Sequence, residues 1–429
     1  MKNKFSLGLI QVLHPATIKH LNVGHPWVTI DNYSLKFPDT ILLYWRDMPN
    51  KKIILFIKDP HHPQVCARKL TVVTPMEFQE WERSPSETLR LYFKNSLRLA
   101  FQKRIKLGIK NRRENEFLFF QEADGIPALQ ILRLATEIIF IFHGSFWEQE
   151  IWKDVLFETY HEEAGSQFLP TDVKHLWYQN REINPGKSKE SSYPVRINKT
   201  DQLAPPFETF IQEEGVQMKI GLGQSYDYGI YTDMACIRKK IHEKFSHYWR
   251  GSKVLNLFSY SGMFSFQAID WEASAVTSVD NNEKSWLLFE ENLKANSQNP
   301  DFHEKLNLGI FDALSKLTKD KRIFDVIIVD PPPSFTDLKS KYSVEDFYRK
   351  ALPQLLGMLS PKGLMVVFCN KHKVTWKEFR TIFLGDPKSK WSIEEEFQLQ
   401  EDCPTIPNYS EGNYLKGLAL AIKSERRIT

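Results

Sequence analysis

One stretch, Val254–Phe266, VLNLFSYSGMFSF, restricts the possible folds of this chain more than any other. The apolar run Val254–Phe258 reads as a buried parallel strand. It breaks at Ser259-Tyr260-Ser261-Gly262, and apolar residues then resume at helical spacing through Ala268. A strand that stops in a Gly-containing turn and passes into a helix is the first unit of a doubly wound α/β sheet. Such a turn lies where these sheets bind nucleotides. Gly262 would let backbone approach a ligand, with helix N–H groups pointing at it. A buried strand–helix pair without a ligand has the same pattern, so the downstream sequence has to decide.

The next apolar run, Ala275–Val279, ends on Asp280. This puts a carboxylate at a strand's C-terminal end roughly 20 residues on, where ribose-binding acids sit. Glu283–Asn296 reads as a helix with Trp286, Phe289 and Leu293 on one face. A third strand is expected at Leu306–Ile310, ending near Asp312. A fourth, Phe324–Val329, runs into Asp330-Pro331-Pro332-Pro333-Ser334-Phe335, and a fifth, Leu364–Phe368, ends at Cys369-Asn370. Polar groups thus recur at the carboxyl edge of an open α/β sheet.

NLFSYSG, SVDNN and VDPPPSF, in this order, resemble motifs I, II and IV of class I S-adenosylmethionine (SAM) methyltransferases. They most resemble the large-subunit (23S) ribosomal RNA methyltransferases that carry an N-terminal PUA domain. That group writes its first motif as LNLFxYTGxF and its fourth as DPPxF. The resemblance implies a Rossmann-like catalytic domain, preceded by a small PUA-like β-barrel and a central α+β domain.

The chain has 429 residues, which predicts two or three domains. A net charge of +4 is compatible with RNA without arguing for it. Four scattered cysteines with no CxxC indicate neither a zinc site nor a disulfide framework. No apolar run is long enough for a signal peptide or a bilayer span, so a cytoplasmic location is expected.

Short β-type runs, Ile41–Trp45, Ile53–Ile57 and Val65–Ala67, mark a first domain at 1–74. Gly24-His25-Pro26-Trp27-Val28 resembles the GHPWV signature of PUA domains, which are RNA-binding barrels; without the family, Trp27 reads as a core aromatic. His61 and His62 read as a Pro-flanked loop rather than a metal site. A central domain is expected at 75–190. Ser84-Pro85-Ser86-Glu87 reads there as a capping box that opens a long helix. Leu89, Phe93, Leu97, Ala100, Phe101 and Ile105 form its stripe. Beside them Arg90, Lys94, Arg98, Lys106, Lys110, Arg112 and Arg113 could contact phosphates or form a solvated face. Gln121–Leu129 resembles the family's GEADGLPGL and reads as a tight turn. A linker at 191–206, within a Pro-, Ser- and Lys-rich stretch, leads to a catalytic domain at 207–429, which opens with a hairpin at 207–222.

The resemblance also implies site residues. Asp227–Met234 is similar to KTGFYLDQR, with Ala235 in place of an Arg and Arg238 kept. Asp402-Cys403-Pro404 and Glu411–Leu418 are similar to DHP…PEGxYLKGL. Asp280 and Asn281 would bind the ribose end of SAM, and Asn256, Phe258, Tyr260, Ser261 and Gly262 would cradle its amino-acid end. Asp312 would sit near the adenine, and Asp233 and Arg238 would flank the cofactor. Asp330, Pro331 and Pro332 would hold a target base that Phe335 stacks on.

The methylated atom is left open between cytosine C5 and guanine N7. C5 chemistry needs a thiolate. The family's Cys aligns with Asn370, one residue past Cys369, and one residue along a strand reverses side-chain direction. Phe368-Cys369-Asn370-Lys371 also resembles the FSNNK of guanine-N7 enzymes, so Cys369 is either the nucleophile or a buried bystander. The expected activity is SAM-dependent methylation of large-subunit ribosomal RNA (rRNA processing), with a homodimer possible and no metal. The alternatives are an RNA-binding assembly factor that kept the fold without catalysis, or a small-molecule methyltransferase.

Overall fold

A computed structural model describes residues 6–109, 112–164, 172–181, 193–197, 207–223, 225–337, 340–386 and 389–423. Lys110 and most of the expected linker lie outside them. The chain divides into two compact units. The first comprises Met1–Glu208, Gly221–Asp227 and Glu401–Gly412; the second comprises Thr209–Ile220, Tyr228–Gln400 and Asn413–Thr429.

In the first unit, β1 (Leu7–Leu9) and α1 (Pro15–Asn22) precede β2 (Trp27–Thr29), β3 (Leu42–Asp47), β4 (Lys52–Lys58) and β5 (Val65–Val73). The strands form a sheet in the order β1-β3-β4-β5-β2. Among the described residues β1 and β2 are its two edges, so the expected barrel is seen here as an open sheet. Two helices follow, α2 (Pro75–Arg83) and α3 (Pro85–Leu107). The capping box lies one helix earlier than expected. Thr74 caps α2 with Glu77 answering it, whereas the Ser84 side chain makes no cap bond to α3.

A second sheet, ordered β10-β9-β8-β7-β6, contains β6 (Asn115–Phe120), β7 (Leu129–Leu134) and β8 (Glu137–Phe142). After α4 (Glu150–Ala164) it is completed by β9 (His175–Asn180) and β10 (Val195–Arg196). Every residue of β6, β7 and β8 is buried, as their dense apolar sequences require. Leu42, Leu55 and Ile57 of the first sheet share one core with Phe93, Phe119 and Trp147, so chain on both sides of residue 74 packs together.

The cations of α3 mostly face carboxylates. Arg90 pairs with Glu158, and Lys94 with Glu162 at 3.0 Å, one helical turn further along both helices. Arg104 is buried and holds Asp124 through two nitrogens, at 2.9 and 2.5 Å. Arg90 and Lys94, two of the cations that could have met phosphate, thus lie in a solvent-exposed row of ion pairs with α4, while Arg104, outside the expected stripe, is the buried one.

The segment Glu401–Gly412 belongs to this unit although it follows the second in sequence. The Asp402 carboxylate accepts hydrogen bonds from Arg113 at 2.6 Å and from the Phe117 N–H at 2.7 Å. Its carbonyl accepts one from Arg104 at 2.8 Å. Asp402, Arg104 and Arg113 are all buried.

β11 (Phe207–Glu213) and β12 (Val216–Leu222) form the expected hairpin, most of which belongs to the second unit, as does α5 (Ala235–Lys244). Then come β13 (Lys253–Leu257), α6 (Met263–Asp270), β14 (Ala275–Asp280), α7 (Glu283–Ala295), β15 (His303–Asn307) and α8 (Ile310–Lys319). The chain continues through β16 (Phe324–Val329), the small hairpin β17 (Ser334–Asp337) and β18 (Ser340–Ser343), and α9 (Val344–Met358). It ends with β19 (Leu359–Cys369), α10 (Trp376–Leu384), β20 (Trp391–Phe397) and β21 (Lys416–Ile422). The seven-stranded sheet runs β15-β14-β13-β16-β19-β21-β20. The first five are mutually parallel, and β21 alone runs against its neighbours. This Rossmann-like order reverses between β13 and β16, which opens a crevice beyond their carboxyl ends.

Removing the Asp402 carboxylate leaves Arg113 buried beside a lost partner. Asp402→Ala is expected to lower the first unit's unfolding free energy by about 3–5 kcal/mol, read from the shift of its urea transition.

Candidate active site

The crevice holds a cavity of about 360 Å³. Its floor is the β13–α6 loop, where Phe258, Tyr260 and Gly262 all adopt positive φ, +60°, +49° and +93°. Three left-handed residues in five positions curl the chain sharply off the strand. At Gly262 the requirement is steric as well: a Cβ there would come within 2.5 Å of the Phe289 ring. Gly262 therefore serves the turn and the packing of α6 on α7, and it does not line the cavity. Asn256 reaches in from β13 and donates to Ser265 Oγ at 2.8 Å. Ser261 Oγ donates to the Gly229 carbonyl at 2.6 Å, which ties the loop to the chain preceding α5.

Asp280, the last residue of β14, lies beside this loop. Its two oxygens accept the N–H groups of Tyr260 and Asn282, each at 2.9 Å. Burial raises its pKa, and these N–H groups oppose the rise. Asn281 and Asn282 line the same wall, as does Tyr231, whose ring centroid is 5.2 Å from that of Tyr260.

At the end of β16, Asp330 keeps some surface on the cavity while protein surrounds its carboxyl. This desolvation, reinforced by the nearby Asp233 carboxylate and opposed by Arg238, pushes its pKa up to about 7. Asp233 accepts a hydrogen bond from the Tyr414 hydroxyl at 2.5 Å. Arg238 lines the cavity, but its Nε and Nη2 each hold Glu213 at 2.7 Å, so it buttresses the wall. Pro332 lines the cavity and Pro331 does not. The Phe335 ring packs edge-on against Phe258, with centroids 5.1 Å apart. The ends of β16 and β19 are held together by the buried Tyr348 hydroxyl, which lies 3.1 Å from the Val329 carbonyl and 2.7 Å from the Phe368 carbonyl.

Besides Gly262 and Pro331, the expected site residues Asp312 and Cys369 also lie off the cavity lining. Asp312 is exposed in the first turn of α8 and does not line the cavity. The third strand ends at Asn307, three residues earlier than expected, because Leu308 and Ile310 belong to the turn and the helix start. Asp337, unmarked in the sequence reading, supplies a wall carboxylate instead and accepts the Phe311 N–H at 3.0 Å. It follows the Pro-rich turn on the short strand β17, whose pairing no sequence pattern announced. Cys369 is fully buried in the apolar core, and burial raises its thiol pKa, away from the thiolate form. β19 is still paired at Cys369, opposite Lys416, so strand alternation holds and the next residue, Asn370, faces the cavity.

Residues 200–392 match the family described as S-adenosylmethionine-dependent methyltransferase. YwbD of Bacillus subtilis, provisionally named a ribosomal RNA large subunit methyltransferase, is 28% identical over 335 residues, covering 77% of this chain and 81% of that protein. Ribosomal RNA large subunit methyltransferase I of Escherichia coli K12 is 26% identical, covering 80% of this chain and 83% of that protein. The crystal structure of SMU.776 complexed with SAH has a TM-score of 0.78 at 20% identity, covering 97% of this chain and 99% of that one. This last likeness is one of fold.

The raised Asp330 pKa has a consequence for stability. Between about pH 4 and about pH 7 the folded state holds a proton that the unfolded state has released. Stability attributable to this group therefore falls as pH rises through that window and levels off above it. Asp330→Asn is expected to flatten this slope, with thermal melts at stepped pH giving a smaller loss between pH 4 and pH 7 than wild type.

Proposed function

Because this chain belongs with the S-adenosylmethionine-dependent methyltransferases, we propose that it methylates a base of large-subunit ribosomal RNA, with the cavity beyond β13 and β16 as the catalytic site. The observation that carries this reading is the convergence of Asp280, the β13–α6 loop and Asp330 on one cavity at the sheet's reversal point. The cofactor, when bound, supplies a methyl group on a sulfonium.

The residues present fit that cofactor. Asp280 and Asn281 would hold the ribose hydroxyls, with free lone pairs on a carboxylate already oriented by two backbone N–H groups. Asn256, Phe258, Tyr260 and Ser261 would cradle the amino-acid end. Asp233 stays beside the cofactor, with Arg238 keeping that wall in place through Glu213. Asp330 and Pro332 would meet the target base, and Phe335 would offer it an aromatic face. A base in a duplex cannot reach such a cavity, so the substrate is an unpaired or opened nucleotide.

The three-part division at 1–74, 75–190 and 207–429 belongs to this reading. The PUA-like part and the central part would dock RNA, and a cytoplasmic location goes with a ribosomal substrate. Trp27 of the GHPWV-like segment is part-buried, donates to Glu122 at 2.9 Å and lies over Arg68, so it would act as a support for that surface. Among the described residues no helix is long and apolar enough to cross a membrane. No observation favours the assembly-factor or small-molecule alternatives.

Asp280→Ala is expected to weaken SAM binding by about 10-fold or more, the loss of charge-assisted hydrogen bonds, as measured by calorimetry. Equal binding by both proteins would remove Asp280 from the site. Nucleoside mass spectrometry of ribosomal RNA from a deletion strain is expected to lack one methylated large-subunit nucleoside. An unchanged methylation profile would refute the substrate assignment.

A further inference from the structure

Cytosine C5 is not nucleophilic until a thiolate adds to C6. The chain has cysteines at 66, 236, 369 and 403, and none of them lines the cavity. Cys369 lies nearest in sequence, but it sits in the sheet core at 0% exposure. Releasing it would require breaking the β19–β21 pairing opposite Lys416. A methyl acceptor in this cavity therefore has to bring its own lone pair.

The cavity wall at the ends of β16 and β19 also selects what the acceptor presents. Asp330 offers a carboxylate and Asn370 an amide, and the nearby Asp233 carboxylate, which holds the Tyr414 hydroxyl, adds to the negative character. Asn370 Oδ1 is buried with no hydrogen-bond partner in the protein, at the position where strand alternation aims the side chain inward. Arg238, the cation of this wall, is engaged by Glu213. An acceptor-rich wall with an unmatched amide oxygen suits N–H donors, and in a nucleobase these are the exocyclic amine and the neighbouring ring N–H.

Building on the RNA-methyltransferase reading above, we propose that the methyl acceptor is a nitrogen of an amino-bearing RNA base rather than cytosine C5, and that Asn370 and Asp330 hold the base by its amino edge. The base nitrogen's lone pair forms the new N–C bond as the methyl–sulfur bond breaks. The electrons of that bond stay on sulfur, and the positive charge passes from sulfur to nitrogen. At a ring nitrogen without a proton the charge remains on the base. At an exocyclic amine one N–H proton leaves to the Asp330 carboxylate, whose raised pKa places it near neutrality and makes it a fitting acceptor. No protein nucleophile and no further reagent are needed. Tyr348 keeps Asp330 and Asn370 in register by joining the strand ends from which they emerge.

The test uses the full chain with labelled SAM and deproteinised ribosomal RNA from a strain lacking the gene. Nucleoside mass spectrometry is expected to show an N-methylated nucleoside. RNA containing 5-azacytidine is expected to give no covalent adduct on a denaturing gel. Cys369→Ala is expected to keep activity within about 2-fold, and Asn370→Ala to raise KM for RNA about 10-fold, one hydrogen bond's worth, with the Kd for SAM unchanged. If Cys369→Ala fails to fold, by its thermal melt, the wild-type adduct and nucleoside measurements decide. Appearance of 5-methylcytidine, or of an adduct, overturns the proposal and leaves the RNA-methyltransferase reading standing. Binding of SAM with no methyl in any RNA nucleoside overturns that reading, and this proposal with it. An unchanged KM in Asn370→Ala removes Asn370 from the base contact.

Discussion

The site rests on one constraint of chain geometry: β13 and β16 are parallel neighbours, yet the connections that leave them pass to opposite sides of the sheet. A right-handed crossover packs its helix on one face, so a sheet that grows both ways from a central pair must part above that pair. The crevice brings the β13 loop, the β14 carboxylate and the β16 carboxylate onto one cavity. Once the crevice exists, its contents follow from small local devices. Positive φ at three positions curls the β13–α6 loop, two backbone N–H groups orient Asp280, and one tyrosine hydroxyl joins the ends of β16 and β19.

Desolvation then sorts the polar groups that the crevice gathers. Asp330 and Asp233 share a low-dielectric wall, where like charges raise the cost of ionising both. Arg238 offsets only part of that cost, because its guanidinium is held by Glu213. The wall is therefore poor in available cations and rich in acceptors, a character that fits an uncharged, donor-bearing base edge better than a phosphate. In the first unit the pattern is the reverse. Arg104 and Arg113 are buried against Asp124 and Asp402, so that losing either carboxylate would strand a buried charge.

Much of this was legible in the residues themselves. The strands β13, β14 and β16 and the helix α7 fall where apolar runs and helical spacing put them, because buried parallel strands carry uninterrupted apolar sequence. The aspartates that close β14 and β16 were marked by the end of those runs. Asp312 was misplaced because Leu308 and Ile310 extend the apolar pattern beyond the true strand into a turn and helix, and periodicity cannot separate the two over so few residues. Asp337 was missed because a hairpin of two four-residue strands is too short to carry a readable pattern. That Arg90 and Lys94 are paired could not be read from the sequence, because their partners on α4 lie 68 residues away.

What the sequence by itself determined is the class of sheet and the two carboxylates that close β14 and β16, Asp280 and Asp330, since both depend on local burial and chain order. Which of Cys369 and Asn370 faces the ligand was left to tertiary structure. A strand alternates its faces, and only the pairing of β19 with β21 shows that the strand is still regular at residue 369. The same holds for Arg238 and Asp402: a charged residue's role depends on the partner that burial selects for it, and that partner can lie anywhere in the chain.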